Sequence, residues 1–535
     1  MMNPVAAAAT SDHDRETIPG LLRRGAALWP DRLFASLPDG SEWTRSQALA
    51  EAEITAGKFV ASGITTGDRV VLMMPNSADW LRCWWGLSLI GALIVPLNPA
   101  LRGNILTSML ATIEPKLVVV VRGTEEQIGE PYRQRVMLVE DLMSQNPVDI
   151  VALPDIAPGH PAGIIMTSGT TGPSKGSLMP NRQLALQSGW LIEKAGVGED
   201  DVFLADMPLF HLSGMSPITT TMAAGGRFVL RTAPAGSTYW ETARDLGATW
   251  SYLVGTMANF LIARPPSPAE KEHKLRFVLS APIPDNVETY KERFNIGGIG
   301  SSYGMSEAGI IVIQSPFEPW KANSAGRARD GFDIRIVDAE GNAVPDGTPG
   351  ELLVRPLEPY RMTLGYYGNE QASRECWAGD YFRTGDVLIR DSDGYFFFQD
   401  RAKDALRRRG ENISSFEVER DVQAHPDIAE AACVAHPSDF GADDEVKVFC
   451  VLREGAGIDW AEVVRFLAER MPYFTVPRYF EPIDALPKTP TNRVQKHLLR
   501  ARGNGAETWD REAHGMVIGR DGKIRQKGPG PRPRA

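Results

Sequence analysis

At 535 residues the chain is too long for one ordinary hydrophobic core, so two or more domains are expected. Its 43% hydrophobic and 23% charged residues exclude a disordered or fibrous protein, and a formal net charge of −10 gives no reason to expect nucleic-acid binding. The four cysteines, Cys83, Cys376, Cys433 and Cys450, lie far apart and form no CxxC pair; they read as buried or incidental thiols and not as a zinc site or disulfide framework.

The first twenty residues lack a basic stretch before their short alanine run, so no signal peptide is expected and the default is a cytoplasmic protein. The longest uncharged apolar run, residues 83–97 (CWWGLSLIGALIVPL), falls short of the ~18 residues a membrane helix needs. Gly and Pro interrupt it, and it reads as a buried helix running into a buried strand. Residues 69–75 (RVVLMMP), 116–121 (KLVVVV), 163–168, 201–208, 227–231, 250–255 and 276–282 read as further buried strands. Helix-compatible stretches such as residues 77–92 and 237–248 lie between many of them. Strands alternating with helices imply an α/β fold with parallel sheets covered by helices on both faces.

After about residue 325 the texture changes. Residues 332–341, 350–355 and 394–401 look like shorter antiparallel strands joined by DG and EG turns. A second compact unit begins near residue 402, with a helix–strand pattern over 417–436, a strand over 446–452 and a helix around 459–471. Such a unit suits a small α+β domain. Residues 519–535 are basic and rich in Gly and Pro, and are expected to be disordered.

Chemistry concentrates in a few loops. Thr167-Ser168-Gly169-Thr170-Thr171-Gly172-Pro173-Ser174-Lys175-Gly176 follows an apolar strand. Glycines let backbone approach a phosphate, hydroxyls and N–H groups donate to its oxygens, and the lysine supplies charge. The Walker pattern GxxxxGK[ST] is not satisfied, and a flexible polar loop is the alternative reading of the run. Further motifs follow in order: Pro208-Leu209-Phe210-His211; Ser301-Ser302-Tyr303-Gly304-Met305-Ser306-Glu307; Tyr381-Phe382-Arg383-Thr384-Gly385-Asp386; Asp400-Arg401-Ala402-Lys403-Asp404, then Gly410-Glu411-Asn412-Ile413-Ser414; and Leu486-Pro487-Lys488-Thr489-Pro490-Thr491.

Over about residues 20 to 515 this ordered set resembles the adenylate-forming superfamily of acyl-CoA synthetases, luciferases and peptide-synthetase adenylation domains. The wording of residues 410–419 and 508–515 is most similar to the crotonobetaine/carnitine-CoA ligase-like branch. The resemblance implies a large N-terminal domain of helix-covered sheets with a small β-barrel-like subdomain (residues 1–400), a hinge (401–403), a small mobile C-terminal α+β domain (404–515) and a tail (516–535). It implies ATP-dependent adenylation of a small-molecule carboxylic acid with pyrophosphate release, then transfer to the thiol of coenzyme A, with Mg2+ required. A carboxylate must meet the α-phosphorus of ATP, so cations and donors are needed where negative charge accumulates.

By position in the matched motifs, Thr167, Ser168, Gly169, Thr170, Thr171 and Lys175 would cradle the phosphates, and Glu307 would hold Mg2+ as a hard oxygen ligand. Ser306 would donate to the α-phosphate. Tyr303 would lie against adenine, edged by Ser280, Ala281 and Pro282, with Ser302, Gly304 and Met305 beside it. Asp386 and Arg401 would contact the ribose, and Lys403 would be the pivot of a domain rotation between the half-reactions. His211, Leu212, Met215, Tyr252, Ser302, Gly304 and Ile310 would line the acyl pocket, His211 also serving catalysis and Gly304 forming the floor.

One departure stands out. Where the family usually has Gly-Lys, this chain has Asn492-Arg493, followed by Lys496. Arginine keeps the charge but is planar and bulkier than lysine. Either Arg493 substitutes, or Lys496 swings in, or adenylation is weakened; a different acceptor or an unusual acid, such as nitrite, is the alternative reading. Charge retention favours Arg493 as the catalytic cation. Arg493→Ala should then abolish acyl-adenylate formation while sparing the reaction of supplied acyl-adenylate with coenzyme A. Single-turnover assays of each half-reaction, with Lys496→Ala alongside, check this; loss with Lys496→Ala alone moves the catalytic charge by three residues.

Overall fold

The structure, a computed structural model, describes residues 15–526 apart from 168–173, 282, 284–286, 323, 339, 402–404, 410, 439–443, 454, 456 and 489–493. Its first sheet runs in the order Val136–Leu138, Leu117–Val120, Arg69–Met73, Leu93–Pro96, Pro161–Thr167, Lys175–Pro180. All neighbours are parallel except the last pair. Val70 and Leu72 enter the core cluster shared with the second sheet, whereas Val71 and Met73 enter a separate cluster on the opposite face. Burial on both faces is why these strands are continuous apolar runs with no polar alternation.

The run at 83–97 behaves as expected. Helix Ala78–Leu89 starts at Ser77, whose side chain accepts from the Trp80 amide, with Asp79 in the first turn. Trp80, Trp84 and Trp85 are fully buried, and every residue of the following strand Leu93–Pro96 is buried. Among the described residues no helix is long and apolar enough to cross a membrane.

The second sheet has two characters. Leu33–Ser36, Arg227–Leu230, Val202–Ala205, Trp250–Val254 and Phe277–Ala281 lie parallel, ending on Gly298–Met305. From there Gly309–Gln314, Gly326–Ala328, Tyr395–Arg401, Tyr381–Arg390, Gly350–Pro356 and Phe332–Val337 continue antiparallel. Three segments matched to loops, 301–305, 381–386 and 411–414, are in fact strands. Their polar and glycine residues are accommodated because backbone pairing with a neighbouring strand outweighs low strand propensity.

The small α+β unit begins with the hairpin Ala405–Arg408 and Glu411–Ser414. Helix Ser415–Gln423 then packs on the four-stranded sheet Ile428–Pro437, Asp444–Leu452, Tyr479–Pro482, Trp509–Asp510. The second sheet's strand ends at Arg401 and the hairpin starts at Ala405. Lys403, expected as the pivot, lies between them and outside the described residues. The expectation of a disordered stretch from residue 519 is corrected for residues 519–526. Met516–Ile518 and Ile524–Gln526 pair as a hairpin, with Met516 and Ile518 buried. A turn in which the Asp521 carboxylate accepts from the Lys523 amide, with Gly522 at φ +74°, brings these apolar residues together; bulk composition hid it.

The small unit docks on helix Gly103–Ile113. Ile105, Leu106 and Leu110 share an apolar cluster with Ile413, Val418 and Phe474, while Arg102 Nε donates to the Met471 carbonyl (2.9 Å) and Asn104 Nδ2 to Asp421 (2.9 Å). Gly103, at φ +62°, is pressed against the small unit: a Cβ there would run into the Arg470 carbonyl oxygen. Gly103→Ala should therefore loosen the docking. Amide exchange is expected to rise across Ser415–Gln423 and to stay unchanged in the strand Arg69–Met73.

Candidate active site

Two hydrogen-bonded groups of expected site residues converge where the second sheet changes from parallel to antiparallel. Gly298–Met305 pairs parallel with Phe277–Ala281 through residues 298–300 and antiparallel with Gly309–Gln314 through residues 301–305. A bulge falls between Tyr303 and Gly304, and a side chain at Gly304 would collide with the backbone of Gly309 and Ile310. Only glycine fits there.

Tyr303 Oη donates to Asp386 Oδ2 at 2.7 Å. Asp386 is buried, its amide donates to Thr384 Oγ1, and it stands opposite Arg401 in the ladder; for Arg401 only the backbone is described. Ser280 is fully buried on the neighbouring strand with Ala281 half-buried beside it, and Pro282 lies outside the described residues.

Glu307 is 5% exposed, and its Oε1 accepts from Tyr366 Oη at 2.9 Å. The ring of Tyr366 faces the ammonium of Lys175 at 5.2 Å from its centroid. Burial, then the neighbouring Glu307 charge, pushes the Tyr366 hydroxyl well above its usual range, so it stays a donor. The backbone around Glu307 is pinned: its carbonyl accepts from the Thr363 amide (2.7 Å), and Gln183 Nε2 donates to the Ser306 carbonyl (2.9 Å). Tyr366, Thr363 and Gln183 were not legible as site residues, because nothing in their local sequence marks which distant loop they support. Of the phosphate-loop candidates, Thr167 and Lys175 end the two strands flanking the loop, while Ser168, Gly169, Thr170 and Thr171 lie outside the described residues.

A cleft of about 870 Å³, open mouth included, runs between the two units. Leu97, Leu101, Ile105 and Met109 form an apolar wall from the large unit, and Ile413, Phe474 and Thr475 face it from the small one. Thr167, His211, Leu212 and Ser306 also line it. Its polar end is built by Glu411, whose Oε1 accepts from Asn98 Nδ2 at 2.7 Å and lies 3.2 Å from His211 Nε2. Asn98 was missed by sequence reasoning, and Glu411 was noted only as part of its motif; they lie 313 residues apart in the chain. The remaining acyl-pocket candidates stand elsewhere. Met215 is fully buried in the core with Ile310 packed against it, and Tyr252 is hydrogen-bonded with Ser302, its hydroxyl pushed up by burial against the opposing Arg407 charge.

Of the two candidate cations, Arg493 lies outside the described residues. Lys496 opens the helix Lys496–Ala501, and its Nζ is held by Glu419 Oε1 (2.7 Å) and Ser415 Oγ (2.7 Å), both on the helix Ser415–Gln423. In this arrangement Lys496 serves the small unit's own packing. Among the described residues no group of three or more His, Cys, Asp or Glu is placed to hold a metal.

The chain matches the AMP-binding enzyme family over residues 22–367 and the AMP-binding enzyme C-terminal domain over residues 417–493. It is 30% identical to a sulfoacetate–CoA ligase of Cupriavidus necator, covering 90% of this chain and 97% of that one. It is 29% identical to a crotonobetaine/carnitine–CoA ligase of Citrobacter koseri, covering 84% and 91%. It shares its fold with o-succinylbenzoate CoA synthetase of Bacillus subtilis, solved as a double mutant bound with a product analogue, at a TM-score of 0.80 and 23% identity over 90% of this chain and 98% of that one.

The Glu307–Tyr366 contact makes a graded expectation. With any accepted acid, Glu307→Gln should keep the fold and slow pyrophosphate release at least tenfold, the equivalent of about 1.4 kcal/mol of lost transition-state stabilisation. Tyr366→Phe leaves the carboxylate in place and should cost less. Circular dichroism and pyrophosphate release measured together check both.

Proposed function

Because the chain belongs to the AMP-binding enzyme family, we propose that it is an AMP-forming acid–thiol ligase that joins a small carboxylic acid to coenzyme A. In the first half-reaction an acid oxygen bonds to the α-phosphorus of ATP and the bond to pyrophosphate breaks. In the second, the coenzyme A sulfur bonds to the acyl carbon, its proton is taken up, and AMP leaves. The observation that carries this reading is the chain Lys175–Tyr366–Glu307 standing beside the pair Tyr303–Asp386 at one sheet seam. The first brings a cation and a buried carboxylate to the end of the phosphate loop. The second offers an aromatic face and a carboxylate, which suit adenine and ribose hydroxyls.

Mg2+ fits this site. Glu307 presents a hard carboxylate whose backbone is pinned from two sides, and Mg2+ commonly takes one or two carboxylates together with water and substrate phosphates. When bound it supplies neutralising charge to the phosphates. Lys175 adds a further cation there, and Arg493 is assigned the place between the two reacting anions, where a fixed cation offsets their repulsion.

The cleft suits the thiol arm of coenzyme A. Leu97, Leu101, Ile105 and Met109 give a slender chain one apolar side to lie along, and Glu411 orients the His211 ring at the polar end. Rotation about Lys403 would exchange this arrangement for one that brings residues 486–493 to the nucleotide. An enzyme using ATP and coenzyme A belongs in the cytoplasm.

The acid is to be found by incubating the protein with ATP, Mg2+, coenzyme A and a panel of acids that includes sulfoacetate and crotonobetaine, with mass detection of acyl-AMP and acyl-CoA. An acyl-CoA product formed together with AMP is expected. AMP release that is indifferent to coenzyme A would instead identify another acceptor.

A further inference from the structure

The turn that presents His211 to the cleft is held by a side chain from the other sheet. Asn76 follows the strand Arg69–Met73 and precedes Ser77, the cap of the Trp-rich helix, so its backbone is fixed on both sides. It is 4% exposed. Its Nδ2 donates to the carbonyls of Met207 (2.9 Å) and Arg231 (3.0 Å), and its Oδ1 accepts from the Leu209 amide (2.8 Å). Met207 and Arg231 stand just past the ends of the parallel neighbours Val202–Ala205 and Arg227–Leu230, where the ladder stops and a carbonyl needs another donor. Those two bonds finish the sheet. The third fixes where the chain leaves it.

Past the fully buried Leu209, the His211 amide donates to the Pro208 carbonyl (3.1 Å) and closes a tight turn. Gly214 packs on its other side: a Cβ there would lie 2.3 Å from the Pro208 carbonyl oxygen. Helix Leu212–Ala224 starts at His211 without a side-chain cap, so the imidazole is left to the cleft. Its Nε2 lies 3.2 Å from Glu411 Oε1, and the Phe210 ring stands 4.6 Å away. Contacts of this kind weaken steeply with distance and angle. Resting on the reading of the cleft as the path of the thiol arm, we propose that Asn76 is a positioning residue for coenzyme A. By holding the Leu209 amide it sets where Phe210 and His211 stand at the polar end of the cleft. Only a side-chain amide offers two donors and an acceptor at once; aspartate offers no donor and leucine no polar atom. Tyr303, Asp386 and Glu307 are held by other partners, so a loss at Asn76 should fall on coenzyme A and not on ATP.

The test uses the full-length protein and calorimetry, with two probes: coenzyme A in the presence of AMP, and MgATP alone. Asn76→Ala should weaken coenzyme A roughly tenfold, the equivalent of about 1.4 kcal/mol, and leave MgATP within about twofold. Asn76→Ser, which keeps one hydroxyl, should shift the same way by less, and it carries the test if the alanine variant does not fold. His211→Ala should weaken coenzyme A by itself, and Asn76→Ala added to it should cost less than about twofold more, because the two act through one ring. A side chain that only stabilises the fold would lower both affinities together and add in full to His211→Ala; either result overturns the proposal. So does unchanged coenzyme A affinity in both Asn76 variants, or in His211→Ala. If the wild type itself fails to bind coenzyme A, the reading of the cleft falls, and this inference with it.

Discussion

The strand Gly298–Met305 must satisfy two neighbours of opposite direction, and most of the candidate site follows from that constraint. Its first three residues complete a parallel ladder with Phe277–Ala281, and the next five an antiparallel one with Gly309–Gln314. Parallel and antiparallel ladders space their hydrogen bonds differently, so the changeover is met by a bulge at Tyr303–Gly304. The bulge re-aims Tyr303 towards Asp386, and the chain beyond it delivers Glu307 to Tyr366. Tyr303 and Asp386 are held here by paired strands, and Glu307 by the short turn between Gly298–Met305 and Gly309–Gln314, which is the kind of preorganisation that charge-stabilising catalysis demands.

The interface between the two units combines an apolar platform with a few polar joints. Helix Gly103–Ile113 supplies the platform, which is insensitive to orientation in detail. The joints at Asn98–Glu411, Asn104–Asp421 and Ser174–Glu417 are directional and buried or partly so. Apolar contact gives docking its strength, whereas the joints select one geometry, since a misplaced dock would strand buried polar groups without partners. These three are made by one hairpin and the helix that follows it, and the Arg102–Met471 contact adds a fourth joint from a later segment of the small unit.

Charge is distributed accordingly. Lys496, one of two cations considered for adenylation, is held by Glu419 and Ser415 within the small unit. Its release would cost a half-buried ion pair. Tyr366 plays the complementary part at the other end of the site, placing a dipole between the Lys175 ammonium and the Glu307 carboxylate.

Much of the architecture was legible from local pattern. Apolar runs at 69–75, 116–121 and 250–255 became buried strands, and the Trp-rich segment became a capped helix, because burial on both faces of a sheet and along a helix leaves a periodic trace in the chain. The matched motifs likewise named Tyr303, Glu307 and Asp386. Local pattern erred where composition masked a short contact, as in the hairpin formed by Met516–Ile518 and Ile524–Gln526. It was silent on Tyr366, Asn98 and Glu417. Each of these acts on a partner 59, 313 or 243 residues away, and their local surroundings read as ordinary turn, strand end and helix. The sequence by itself determined which elements form and which loops carry donors, cations and carboxylates, since propensity, burial and capping are short-range. Only the tertiary structure decided which of those groups meet, because the energy of a buried polar contact depends on distance and direction between segments that no local pattern relates.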